Sequence, residues 1–151
     1  MATHLDIIYN SNSDGFSFNW LAYAIVGYTG PLCFLFEHED EGQTYILGAY
    51  LNTTIKDNAK FHGSADSSLF QVSPELRMFR TYNNEGGENY VYLNTMKIEN
   101  SNLVQGLGFG GGIGEFRLWI DNDLDTKSYL WPKDKTYEIG YLAGNNNKLN
   151  F

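Results

Sequence analysis

Residues 106–120 read GLGFGGGIGEFRLWI, and this stretch decides the fold class. Its first six residues satisfy the G-x-G-x-x-G pattern of dinucleotide-binding proteins. That pattern binds pyrophosphate only where a helix follows, because the N-terminus of the helix holds the phosphates. The aromatic and branched residues at 116–120 predict a strand instead. We therefore interpret the glycines as a sharp turn between two paired strands, at 103–108 and 116–120.

Upstream of this turn, the sequence predicts one amphipathic helix. Its apolar residues recur at helical spacing, and they are Phe18, Leu21, Ala22, Ile25 and Val26. Ser17 is suited to the N-cap position, and Gly27 to ending the helix. This helix has one apolar face, so we expect it to lie on a sheet.

The remaining chain indicates short strands separated by turns. We expect strands at 4–9, 32–37, 44–51, 68–72, 78–82 and 90–96, a turn-rich loop at 10–15 and an acidic hairpin loop at 38–42. The apolar run at 32–37 is typical of a strand buried on both faces. This order favours an α+β fold, mostly antiparallel β, in which two packed sheets resemble a β-sandwich with one N-terminal amphipathic helix and short peripheral helices. No linker or repeat is visible, so residues 1–151 are expected to form a single domain.

Charge limits the classes of partner. Eighteen acidic residues against ten basic ones give a net charge of −8, and an acidic surface repels nucleic acids and anionic lipid headgroups. No apolar run approaches the roughly 20 residues of a membrane span, and residues 1–6 do not resemble a signal peptide. We expect a cytoplasmic protein that binds no nucleic acid and inserts into no membrane directly.

Few residues carry a chemical signature. The lone Cys33 lies in an apolar run, so we expect a small buried residue rather than a nucleophile. Residues 121–125 resemble the start of a calcium loop, but Thr126 replaces the required glycine and Pro132 the bidentate ligand. The spacing of the three histidines supports no zinc site. We predict no catalytic residue, cofactor or metal, although a Ser-His-Asp triad built from distant residues stays open.

Residues 110–124 resemble the signature of the TLDc domain family. In that signature a glycine-rich turn precedes an aromatic strand that ends in Leu-Trp and an Asp-x-Asp-Leu turn. Its matching structural residues here are Gly110, Gly111, Gly112, Leu118 and Trp119. Four other stretches match in the same order, at 9–18, 30–31, 47–50 and 61–70.

The chain departs from the family pattern in three places. Thr81 to Asn84 replaces a Trp-Thr-Gly-like stretch, and the segment at 128–137 is longer and lacks a cysteine. The family also ends on one further strand, which does not follow Phe151. The lack of this strand would leave a sheet edge unpaired, and two explanations stay open: the chain is truncated, or a partner supplies the edge.

The resemblance implies a protein-interaction module, because the family has no established set of catalytic residues. Its members are associated with resistance to oxidative stress and with the vacuolar-type proton ATPase. Two alternatives remain: a structural component of a large cytoskeletal or ciliary (axonemal) complex, and a weak hydrolase or antioxidant enzyme. In the first case the protein would be ciliary; as a pump partner it would lie at the periphery of organelle membranes.

Three acidic residues beside the glycine turn are candidate contacts for a partner. They are Glu115, Asp121 and Asp123, and their carboxylates could equally cap the backbone of their own turn.

Overall fold

The computed structural model describes residues 4–83, 85–124, 126–144 and 147–151. Two short helices precede nine strands in the described chain. The helices are α1 (Ser11–Asp14) and α2 (Phe18–Ile25). The strands are β1 (Leu32–Asp40), β2 (Gln43–Leu51), β3 (Phe61–His62), β4 (Ser67–Ser73), β5 (Arg77–Arg80), β6 (Val91–Asn94), β7 (Gly106–Phe109), β8 (Leu118–Asp121) and β9 (Tyr129–Leu130).

The strands form two antiparallel sheets that share one core. The four-stranded sheet has the order β1-β2-β4-β5, and the five-stranded sheet has the order β3-β6-β7-β8-β9. Fully buried leucines from both sheets meet between them, among them Leu47, Leu69, Leu93, Leu107 and Leu118. The predicted fold class, a mostly antiparallel sandwich-like α+β fold, is confirmed.

In the N-terminal region the predicted helix is present, but the strand and the loop predicted before it are not. Helix α2 begins after the N-cap Ser17 and buries Phe18, Leu21, Ala22 and Ile25. The stretch at 4–9, predicted as a strand, has no regular secondary structure. The predicted loop after it forms α1, because the side chain of Asn10 accepts a hydrogen bond from the backbone N–H of Asn12 and so caps that turn.

Strand β1 corrects three predictions. It is not buried on both faces, since Leu32 and Phe34 are buried whereas Cys33 and Leu35 are exposed. Cys33 is therefore not the buried residue we expected. The strand also continues through the predicted acidic loop to Asp40, and a two-residue turn with positive φ at both positions joins it to β2. Side chains alternate between faces along a strand, so an apolar run does not by itself require two covered faces.

Residues after β9 cross between the sheets and cover their edges. On the four-stranded sheet, Tyr82 N–H donates to the Thr136 carbonyl and Glu138 N–H donates to the Arg80 carbonyl, at 2.9 and 2.8 Å. On the five-stranded sheet, Leu130 N–H donates to the Asn147 carbonyl at 2.8 Å. We call the described residues 131–144 and 147–151 the C-terminal strap. It pairs along the outer sides of both β5 and β9.

The strap also reaches the outer edge of β1. Glu39 N–H donates to the Asn150 carbonyl at 3.0 Å, and Asn150 N–H donates to Nδ1 of the buried His38 at 2.8 Å. The ring of Phe151 packs on that of Phe36, with centroids 5.9 Å apart. The end of β1 nearest its hairpin therefore has a partner.

Within the described chain, no helix is long and apolar enough to cross a bilayer.

Candidate functional site

The glycine-rich segment is a turn between paired strands. Strands β7 and β8 are antiparallel, with Gly108 opposite Trp119. Between them, Gly112 and Glu115 exchange two backbone hydrogen bonds of 3.2 and 2.9 Å and so close the turn. A strand rather than a helix follows, so this glycine pattern does not form a dinucleotide site.

The aromatic residues beside this turn are packed against each other. The rings of Phe116 and Trp119 stack with centroids 4.5 Å apart, and Tyr92 lies 5.2 Å from Phe116. All three are buried, as is Leu118 on the opposite face of β8. These rings stabilise the five-stranded sheet and offer no open face to a ligand.

A buried ion pair joins the glycine turn to the C-terminal strap. Arg117 is completely buried, and its Nη1 lies 3.0 Å from Oδ1 of Asp134, whose side chain is 3% exposed. The same guanidinium donates to the carbonyls of Tyr137 and Gly140 at 3.2 and 2.8 Å. It also lies 5.2 Å from the centre of the Phe79 ring, on the opposite sheet. One side chain thus connects both sheets and the strap.

Asp134 completes this cluster through the backbone. Its carboxylate accepts hydrogen bonds from the backbone N–H groups of Gly111, Thr136 and Tyr137 at 2.9, 2.8 and 3.2 Å. Burial lowers the pKa of Arg117, while the hydrogen bond and charge of Asp134 oppose that shift. A buried arginine remains protonated, so the carboxylate of Asp134 supplies the counter-charge that this buried cation needs.

Sequence reasoning missed both members of this pair. The available signal was a charged residue in the middle of the apolar strand at 116–120. Such a residue is stable inside a core only when a partner is buried with it. No spacing rule identifies Asp134, because the strap brings it to Arg117 from 17 residues away.

Tyr137 is a second buried polar group held by the strap. Its hydroxyl donates to the Tyr90 carbonyl at 3.0 Å and lies 3.3 Å from Oγ of Ser67. Desolvation raises the pKa of this phenol well above its ordinary value of 10.0. The hydroxyl therefore stays protonated in the folded protein at a pH where an unfolded tyrosine ionises.

We predict that this shift makes the protein lose stability in alkali. Above about pH 10 the unfolded state releases the Tyr137 proton while the folded state keeps it, so the free energy of unfolding falls by up to roughly 1.4 kcal/mol per pH unit. Below that pH the group has no effect on the pH dependence. Urea unfolding between pH 8 and about pH 11 measures the slope. Tyr137→Phe should make it shallower, whereas Tyr23→Phe, at a side chain 81% exposed, should not. An unchanged slope in Tyr137→Phe contradicts the assignment.

The acidic turn after β8 holds its own structure. Asp121 is 8% exposed; its Oδ1 accepts from Trp119 Nε1 at 3.1 Å and its Oδ2 from the Asp123 N–H at 3.2 Å. Asp123 accepts from Thr126 Oγ1 at 2.6 Å. Glu115 is exposed, and Asp125 lies outside the described residues. In the part of the chain that the structure describes, no three potential metal ligands come together.

Two substitutions test which of these acidic side chains stabilises the turn. Asp121→Ala should lower the free energy of unfolding by about 1–3 kcal/mol, because the buried Trp119 N–H and the Asp123 N–H lose their acceptor. Glu115→Ala should leave stability unchanged. Thermal unfolding of both variants is the measurement. Equal stability of the two variants would show that Asp121 is not a structural residue.

The polar contacts of the three histidines, as far as the structure describes them, are with backbone groups and one carboxylate. Among the described residues no hydrogen bond joins a histidine to a serine: His38 contacts Asn150, His62 contacts Lys56 and Lys60, and His4 lies 3.7 Å from Asp6. Partial desolvation raises the pKa of the Cys33 thiol, which disfavours the reactive thiolate.

Comparison with known proteins decides the family. A sequence model of the TLDc domain matches residues 2–151. The chain belongs to the TLDc domain family. The resemblance seen in the glycine turn and its strand is thereby confirmed.

The curated proteins that this chain resembles are much longer than the chain itself. Human oxidation resistance protein 1 is 28% identical over 118 residues, which cover 78% of this chain and 12% of the relative. The chicken MTOR-associated protein MEAK7 is 30% identical over 142 residues, covering 93% of this chain and 28% of the relative. The TLDc domain described here thus spans a small part of the relatives it matches.

Proposed function

We propose that this TLDc domain is a non-enzymatic protein-interaction module that binds the vacuolar-type proton ATPase and contributes to resistance against oxidative stress. Family membership over residues 2–151 is the observation that carries the proposal. The relatives' names support it, since one class is called oxidation resistance protein and another MTOR-associated protein. Both names describe a protective or associative role for those proteins.

The polar chemistry of the fold favours a binding role. Arg117 and Asp134 are buried and bind backbone groups of the strap and the glycine turn, so neither reaches a substrate. Asp121 is engaged in its own turn. What the molecule does present to solvent is apolar and aromatic surface, including Trp20, Tyr23, Leu35 and Met78. Exposed apolar surface is typical of protein contacts.

Antioxidant chemistry by the single thiol is the competing function. The raised pKa of Cys33 argues against it, because a peroxide is attacked by a thiolate. Cys33→Ser should therefore leave stress protection intact in cells that depend on this protein. Loss of protection in a variant that still folds would favour thiol chemistry.

Capture by the purified pump tests the proposal directly. We expect the domain to be retained by the soluble ATPase sector of the pump at micromolar concentration and to alter the rate of ATP hydrolysis. In the cell this role corresponds to a cytoplasmic protein at the periphery of organelle membranes, held there by its partner. No retention at micromolar concentration would overturn the proposal.

A further inference from the structure

The outer face of the four-stranded sheet carries an apolar row. Along β1 the side chains of Leu32 and Phe34 point into the core, so Leu35 points outward and is 62% exposed. In the strand register Leu35 lies opposite Gly48, Gly48 opposite Phe70, and Phe70 opposite Met78, which is 55% exposed. We call these residues the outer row. It crosses all four strands of the sheet.

Gly48 makes the outer row continuous. A Cβ atom at this position would lie 2.8 Å from Cζ of Phe70, so the phenyl ring lies across the glycine. The ring therefore extends from β4 over β2. Val72, two residues beyond Phe70, adds a further exposed apolar side chain. The solvent face of an antiparallel sheet normally carries polar residues, and contiguous apolar surface of this kind marks a site of contact.

A cation borders the outer row. Arg80 lies opposite Ser68, which lies opposite Tyr50, and these three residues line a shallow pocket together with Met78. The structure gives the Arg80 guanidinium no hydrogen bond or ion pair with any described residue. Asp66, in the same pocket, instead accepts from Asn52 Nδ2 at 3.0 Å. At the other side of the row, Glu37 lies opposite Ile46. The face therefore offers an apolar centre with Arg80 on one side and Glu37 on the other.

The size of the face restricts its occupant. Strands lie about 4.8 Å apart, so four of them span roughly 14 Å between outer axes. The resulting patch of a few hundred Å² is smaller than the roughly 800 Å² that each partner contributes to a stable dimer. The row runs across the strands, so a helix lying along it needs only about nine residues at a rise of 1.5 Å per residue, and an amphipathic helix presents one apolar stripe over such a length.

We propose that the outer row binds an amphipathic helix of a partner protein, with an acidic residue of that helix over Arg80. This inference deepens the proposed function and rests on it, since it assigns the surface and the kind of segment through which the domain would hold a partner. The apolar stripe of the helix covers Leu35, Phe70 and Met78. The carboxylate pairs with the Arg80 guanidinium, and basic residues lie towards Glu37.

Two synthetic helices test the chemistry of the occupant. Both have about 18 residues and the same leucine stripe, and they differ only in whether glutamate or lysine borders the stripe on the side of Arg80. Backbone NMR of the domain should show shifts at Leu35, Gly48 and Met78 with the acidic helix, and about fivefold weaker binding of the basic helix at low salt. Arg80→Gln should remove this preference.

Matched variants locate the surface. Leu35→Ser/Met78→Ser should abolish binding of the acidic helix, with the fold verified by its thermal transition. Trp20→Ala/Tyr23→Ala alters other exposed apolar residues and should leave binding intact. Shifts centred on Trp20 and Tyr23, equal binding of the two helices, or no binding would each overturn the inference. A dimer that Leu35→Ser/Met78→Ser abolishes would assign the face to a second copy and overturn it as well.

The same variants distinguish this inference from the proposed function. If the pump retains the wild-type domain but not Leu35→Ser/Met78→Ser, the result supports both pump binding and the outer row as the surface of contact. If the pump retains the wild-type domain and the double variant equally, pump binding is upheld, but the outer row is not the surface that contacts the pump. If the pump retains neither, the proposed function fails, and the synthetic helices still decide whether the outer row binds an amphipathic helix.

Discussion

Asp134→Ala is expected to lower the free energy of unfolding by about 3–5 kcal/mol, because it leaves a buried guanidinium without its counter-charge. The substitution also removes the acceptor of the Gly111, Thr136 and Tyr137 N–H groups, so the glycine turn and the strap lose one of their connections. Urea unfolding monitored by circular dichroism measures the change.

The control for Asp134→Ala is an ion pair on the surface. Lys97 and Glu99 lie 3.8 Å apart with both side chains more than three-quarters exposed, and Glu99→Ala should not change stability measurably. A double variant, Arg117→Met/Asp134→Leu, should recover the part of the loss that comes from the uncompensated charge, but not the part that comes from the three backbone N–H groups left without an acceptor. A loss below about 1 kcal/mol in Asp134→Ala would show that the pair does not hold the strap.

Gly111→Ala is expected to lower the free energy of unfolding by about 2–5 kcal/mol. A Cβ atom at Gly111 would lie 2.0 Å from the Glu115 carbonyl oxygen, and the backbone φ of 75° adds the cost of a left-handed conformation. The turn can relieve the overlap only by breaking its closing hydrogen bonds. For a domain of this size the loss corresponds to a fall in Tm of about 2–4 °C per kcal/mol.

The neighbouring glycine is the matched control. At Gly112 an added Cβ would meet nothing within 4 Å, and its φ is not positive. Gly112→Ala should therefore be neutral or stabilise the protein by up to about 1 kcal/mol, since alanine restricts the unfolded chain. If both variants lose the same stability, the turn does not have the geometry described here.

The sequence predicted the fold class because local patterns and tertiary contacts agree along most strands. Helix α2 follows the spacing of Phe18, Leu21, Ala22 and Ile25, and the turn between β7 and β8 follows its glycines. The two-residue strands β3 and β9 carry too little pattern to be recognised. The strap escaped prediction for a different reason. Its hydrogen bonds join residues that are distant in the sequence, and no local pattern records such contacts.

The misreading of β1 has a physical cause. Its run of Leu, Cys, Phe, Leu and Phe lacks the polar alternation of a half-exposed strand, so it predicted burial on both faces. The structure covers only one face, and the other carries Leu35 and Cys33 into solvent. Apolar side chains on this uncovered face of the sheet are consistent with our proposal that a partner helix covers the outer row.

NMR of the arginine side chains tests the central claim most directly, namely that Arg117 connects the two sheets and the strap from inside the core. The chain offers internal references, since Arg77 and Arg80 are exposed. We predict that the Nη protons of Arg117 exchange slowly with water and show nuclear Overhauser contacts to the ring of Phe79. A guanidinium of Arg117 that exchanges as fast as those of Arg77 and Arg80 would contradict the account.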